Sequence, residues 1–174
     1  MDFNKLIKIE NTDISLNKLK KKSEALNNLD LREQINNSKL LLIPTRTVNE
    51  KELYPEGTGD FYRFLIDQDD SKELLAEFIV DDENYGELEL HSDIVYLATM
   101  VFSGVVLPII INVVSDYITE MRKRKNEEFD VEVSYIFEED GGKTSKKITY
   151  KGKAENFDET MKSLKENFEN DRQN

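Results

Sequence analysis

"IVYLATMVFSGVVLPIIINVV", residues 94–114, has no charged side chain from end to end. With the following "SDYITEMRKRK" it predicts one apolar helix of about thirty residues. A helix that is apolar all round must be covered by something. Three covers are open: a membrane, the rest of the chain, or a partner.

About twenty apolar residues cross a bilayer, so the length suffices. Tyr96 and Tyr117 lie near its ends, where interfacial anchors sit, and the basic run from Met121 follows. The flank before it, "DDENYGELELHSD", has no Lys or Arg, so the positive-inside rule would keep the C-terminal part inside. That orientation asks an acidic region of about ninety residues to cross without a signal peptide. Pro108 lacks an N–H and crowds the carbonyl of Gly104, which predicts a kink. Beyond it Asn112, Ser115 and Thr119 share a stripe with Pro108, giving a polar side for helix–helix or partner contact. Phe102, Gly104, Pro108 and Asn112 are therefore expected to set the helix's shape and contacts. Arg122 and Arg124 in its basic end complete the expected membrane or partner interface.

Before this segment the chain reads as an acidic α+β unit. Leu16, Leu19, Leu26 and Leu29 recur at helical spacing. Asp30 and Glu33 predict a capping box and a second helical start. "KLLLI" before Pro44 predicts a short buried strand. "PTRTVNEKELYPEGTGD" reads as a long loop. "FYRFLI", "LLAEFIV" and "YGELELHS" read as three strands of a small antiparallel sheet with one wet face.

After the apolar segment, Phe129, Val131, Val133, Tyr135 and Phe137 alternate strictly, which predicts a strand. Gly141 and Gly142 supply a hairpin turn. "KKITYKG" returns with Ile148 and Tyr150 on one face. Asn156 and Glu159 open a helix whose Phe157, Met161, Leu164 and Phe168 form one stripe. The expected organisation is α+β in three segments. Residues 1–92 form an acidic unit, 93–125 the apolar helix, and 126–174 a hairpin–helix unit.

Composition excludes several functions. The 174 residues carry a net charge of −12, which argues against sequence-independent nucleic-acid binding. There is no Cys and one His, so thiolate zinc, thiol redox and multi-His sites have no residues to use. His91 shares a strand face with Glu87 and Glu89, a pattern that reads as the wet side of an amphipathic strand more readily than as a cation site. "DQDDSKE" imitates the start of a calcium loop, but Lys72 stands where that loop needs Gly. "GTGDF" has neither the Lys-Ser/Thr nor the helix that a phosphate cradle needs, and reads as a flexible loop. The expectation is a non-enzyme with no catalytic residue, cofactor or metal. Its partner is a protein or a second copy, with membrane contact as a further form. Charges recur every few residues through the first twenty, with no apolar core of a secretory signal. Cytoplasmic residence follows, with attachment to the inner membrane if the helix inserts.

The order from residue 93 to 168 resembles small effector-associated components of bacterial conflict and anti-phage operons. An apolar helix with Gly and Pro, "LATMVFSGVVLPIIINVVSDYI", ends in a basic cluster. The hairpin "FDVEVSYIFEEDGGKTSKKITYKG" and the helix "NFDETMKSLKENF" follow. The resemblance implies a non-enzymatic adaptor or effector component of a defence or stress system, acting through the apolar helix. The composition offers an alternative: a soluble acidic binding or inhibitor module that meets a basic partner protein.

Overall fold

Strict alternation builds the C-terminal third. In the computed structural model, which describes residues 5–173, β9 (Asp130–Glu139) and β10 (Thr144–Lys153) pair antiparallel from end to end. Asp140, Gly141 and Gly142 all take positive φ in the turn between them, a conformation two of the three adopt without a Cβ penalty. Val133, Tyr135, Phe137, Ile148 and Tyr150 are buried on one face. Helix α5 (Phe157–Gln173) covers them, burying Phe157 and Met161 and packing Leu164 and Phe168. The predicted stripe is the one that packs.

The stretch 94–114 is not one helix. Its first half is strand: β7 (Ile94–Tyr96) and β8 (Thr99–Ser103) both run parallel to β9. Their registers on β9 differ by one residue, so the chain bulges at Leu97–Ala98. A strand with cover on both faces is apolar on both, loses its alternation, and imitates a buried helix. Helix α4 then spans Leu107–Lys125, entered through a 3-10 turn at Gly104–Val106. Pro108 lies in its first turn, where a missing N–H leaves no bond unmade. The expected kink is therefore a helix start. Leu107, Ile110, Ile111, Val114, Tyr117 and Ile118 form the buried stripe of α4, while Asn112, Asp116 and Glu120 face out. Arg122 to Lys125 occupy the last turn, where cations complement the dipole, and Asn126 closes it in the left-handed region.

Upstream, α1 (Leu16–Ser23) is capped by Ser15, whose Oγ accepts from Lys18 N at 3.2 Å. Helix α2 (Leu29–Asn37) is capped by Asn28, two residues before the predicted box at Asp30. The strand β2 (Leu40–Ile43) forms as the sequence predicts. The supposed long loop holds two strands, β3 (Arg46–Val48) and β4 (Lys51–Pro55), turned by Asn49 and Glu50 at positive φ. "FYRFLI" is helical, inside α3 (Thr58–Gln68), because tertiary packing overrides its strand composition. The rings of Phe61 and Phe64 lie 4.9 and 5.1 Å from that of Tyr117 on α4. Only Glu77–Phe78 of "LLAEFIV" is strand, β5, and it runs parallel to β2. The next strand, β6 (Tyr85–Leu88), runs parallel to β4. The small sheet is thus β3-β4-β6, of mixed direction, and not the antiparallel trio of runs read from the sequence.

The chain is mixed α+β, with α4 as its long apolar central helix. The large sheet runs β1-β10-β9-β8-β2-β5, with β1 being Ile7–Asn11 and β7 continuing β8 along β9. Residues from all three sequence segments share this sheet and one main core. That core joins Leu40, Tyr54, Phe61, Phe102, Ile111, Tyr135 and Phe157.

Candidate functional site

The two faces of the large sheet are covered unequally. Helices α3, α4 and α5 share the main core on one side. On the other, α1 and α2 bring Leu16, Leu31 and Ile35 against Leu41, Val101 and Ile136. Those three register across β2, β8 and β9. Alternation places Thr99, Glu132, Ser134, Lys147 and Thr149 on this same face, beyond the reach of the two helices. Ser134 and Thr149 hydroxyls lie 3.1 Å apart, and Lys151 approaches Glu132 at 3.5 Å.

Two clefts meet on this half-covered face. One, about 450 Å³, is mainly apolar, with Ile14, Leu19, Leu26, Ile43 and Ile79 in its wall and Lys22 and Glu52 at its rim. The other, about 470 Å³, runs over Thr99, Glu132, Ser134, Ile136 and Lys147. Ile14, Ile43 and Pro44 belong to both, so the surface is continuous from apolar to polar. The break between α1 and α2 leaves Leu26 at the apolar wall, a position that helical spacing alone assigns to a core stripe.

The residues expected to form a membrane or partner interface do not gather into one surface. Phe102 is fully buried in β8, its ring 5.9 Å from that of Phe137 and nearly parallel to it. Gly104 is buried in the turn before α4. Pro108 is half-buried and Asn112 exposed. At the other end Arg122 meets Glu128 at 3.1 Å and Arg124 meets Glu120 at 3.8 Å. Phe102 and Gly104 reach a surface only if the core opens.

The helix of α4 with its preceding turn, Gly104–Lys125, is long and apolar enough to cross a membrane by length and composition, yet half of its apolar eighteen-residue stretch is buried inside the protein. Thr119 Oγ1 donates to the Ser115 carbonyl at 2.9 Å, so one member of the polar stripe is used within the helix. Ser115 Oγ and Tyr135 Oη are buried and meet no hydrogen-bond partner among the described residues. Burial pushes the Tyr135 phenol well above its ordinary range.

A helix does open at "GTGDF", where the sequence predicted none. Gly57 takes φ 83° as its N-cap. The anion position this creates is filled from within. Glu87 on β6 accepts from Gly57 N at 3.1 Å, from Gly59 N at 2.9 Å and from Tyr85 Oη at 2.7 Å. Partial burial pushes the Glu87 carboxyl up, but these donors outweigh it and hold the group below its ordinary value. His91 lies 3.7 Å from Glu89, both exposed, while Glu87 is committed to α3. Asp69 of the calcium-like run accepts from the N–H groups of Glu73, Leu74 and Leu75. Among the described residues no group of three or more His, Asp or Glu side chains is placed to hold a metal ion.

Compared with known proteins, the chain matches no family model, no curated protein and no solved structure.

Proposed function

We propose that this protein is a non-catalytic binding module, an adaptor of the kind the resemblance to bacterial defence components implies. It works in the cytoplasm and receives a segment of a partner protein in the apolar cleft of the half-covered sheet face. The observation that carries this reading is the unequal cover of the sheet. Helices α1 and α2 seal Leu41, Val101 and Ile136 but leave Ile43 and Ile79 lining an open cleft beside Leu26. Apolar pockets with a polar rim are the usual anchor points of protein interfaces.

The proposal moves the contact from α4 to the cleft. In the version that acts at a membrane, α4 would have to leave the core and expose Ile110, Ile111 and Val114, which are fully buried here. The test is a photo-crosslinking residue placed at Leu26, with Val105 as the exposed control, read in cells. A discrete crosslinked species at Leu26 that Ile79→Glu removes supports the cleft. Crosslinking to lipid, with recovery in a salt-resistant membrane pellet, returns the contact to α4. No species at Leu26 sinks the proposal.

A further inference from the structure

The outer edge of β1 carries one pattern in its backbone groups and another in its side chains. Among the described residues β1 is the last strand on its side of the large sheet. Its ladder to β10 fixes which way its backbone groups point. Lys151 N donates to Leu6 O at 3.0 Å and Thr12 N to Ser145 O at 3.1 Å. In an antiparallel pair the bonded residues alternate. Residues 6, 8, 10 and 12 therefore bond to β10, and the N–H and C=O groups of Ile7, Ile9 and Asn11 point away from the sheet.

The side chains add a second pattern. Ile9 is 50% exposed on the face that carries Ile148, its partner on β10. Lys8 and Glu10 lie on the opposite face and pair with each other at 2.6 Å. Read in reverse, this order is its own complement.

We infer that two copies of the chain pair antiparallel along β1, about a two-fold axis at Ile9. In that register Ile7 stands opposite Asn11 of the second copy, Ile9 opposite Ile9, and Asn11 opposite Ile7. All three are positions whose backbone groups point outward, so each pair exchanges both its N–H···O bonds. Lys8 then stands opposite Glu10 of the second copy, and Glu10 opposite Lys8. These are the non-bonded positions, where side chains of an antiparallel pair approach most closely. Centring the axis on Lys8 or on Glu10 instead keeps outward groups facing one another but sets Lys8 against Lys8 or Glu10 against Glu10. The Ile9 axis is the one that matches both patterns. Such an interface is isologous and closes at two copies. It joins the two large sheets edge to edge and covers both exposed Ile9 side chains. The polar side of each sheet, with Lys8, Glu10, Lys147 and Thr149, becomes continuous with that of its neighbour. The inference is independent of the cleft proposed above.

The paired segment is five residues long, so dimerisation is expected to be concentration-dependent. Sedimentation equilibrium of the full chain, run up to about 1 mM, should show the mass rising from 20.3 kDa toward twice that value. Ile9→Pro removes an outward N–H and leaves the β10 ladder its bonds, a position where an edge strand tolerates proline. It should give a monomer with unchanged far-ultraviolet circular dichroism. Lys8→Glu should weaken the dimer by roughly tenfold, through two symmetry-related like-charge pairs. Adding Glu10→Lys to it should restore the parental affinity. A mass fixed at 20.3 kDa across the range overturns the inference. So does a dimer whose affinity ignores the charge exchange.

Discussion

Val105 and Val106 are neighbours in sequence and opposites in the fold. Val105 is 77% exposed and Val106 is 5% exposed, packed in the main core at the entry to α4. The perturbation is an Asp at each in turn. Val106→Asp loses the burial of a Val side chain, about 1.5 kcal/mol. It also leaves a carboxyl in apolar surroundings, which costs about 3 kcal/mol even after the group takes up a proton. The sum, about 4–5 kcal/mol, is a large share of the 5–15 kcal/mol that a native domain typically has. At roughly 2–4 °C per kcal/mol for a chain of this length, Tm should fall by about 10–20 °C. Val105→Asp loses little burial and sets a negative charge before a helix whose first turn has no acidic residue. Its effect should lie within about 0.5 kcal/mol of zero, with the helix dipole favouring it. Thermal and urea unfolding of the two variants, with fractionation of the cells that make them, reads the difference. A segment immersed in lipid would treat the two substitutions alike, since both place a carboxylate in hydrocarbon. Equal losses, or a Val106→Asp variant as stable as the parent, would refute the assignment of this turn and α4 to the core.

Two further substitutions probe the polar interior. Glu87→Ala frees the N–H groups of Gly57 and Gly59 and should cost about 1 kcal/mol at neutral pH, discounted for the exposure of the carboxylate. Because the folded carboxyl titrates below its ordinary value of 4.5, its contribution is complete above that value and is lost as pH falls through the lowered one. Urea titrations should therefore show the gap between parent and variant closing as pH falls through that lowered value, and a constant gap would remove Glu87 from the acid response. Tyr135→Phe deletes a buried hydroxyl without a partner among the described residues, so it should raise stability by about 1 kcal/mol, or Tm by roughly 2–4 °C. A loss of that size would mean the hydroxyl has a partner in solution.

The elements that the sequence specifies are those whose two sides meet different surroundings. In β9, Val131, Val133, Tyr135 and Phe137 face the main core, and of the residues between and after them only Ile136 is apolar, with Glu132, Ser134 and Glu138 polar, so a period of two survives and names the strand. Phe157, Met161, Leu164 and Phe168 mark α5 for the same reason at a period of 3.6. The second half of the apolar stretch also reads correctly as helix, with Asn112, Asp116 and Glu120 on its outer side.

Tertiary structure alone decided the rest. Met100, Val101 and Phe102 lie in a strand with β2 on one side, β9 on the other, and helices over both faces. No periodicity is left in such a strand, and its composition equals that of a buried helix. "FYRFLI" carries strand-forming aromatics, yet Gly57 starts a helix there and Tyr117, more than fifty residues away, gives those rings their packing surface. The cleft depends on where α1 and α2 stop covering the sheet, a distance set by their packing on Leu41, Val101 and Ile136. Local sequence fixes the period of a segment when its environment has sides. It is silent where burial is uniform, and there long-range pairing chooses between strand and helix.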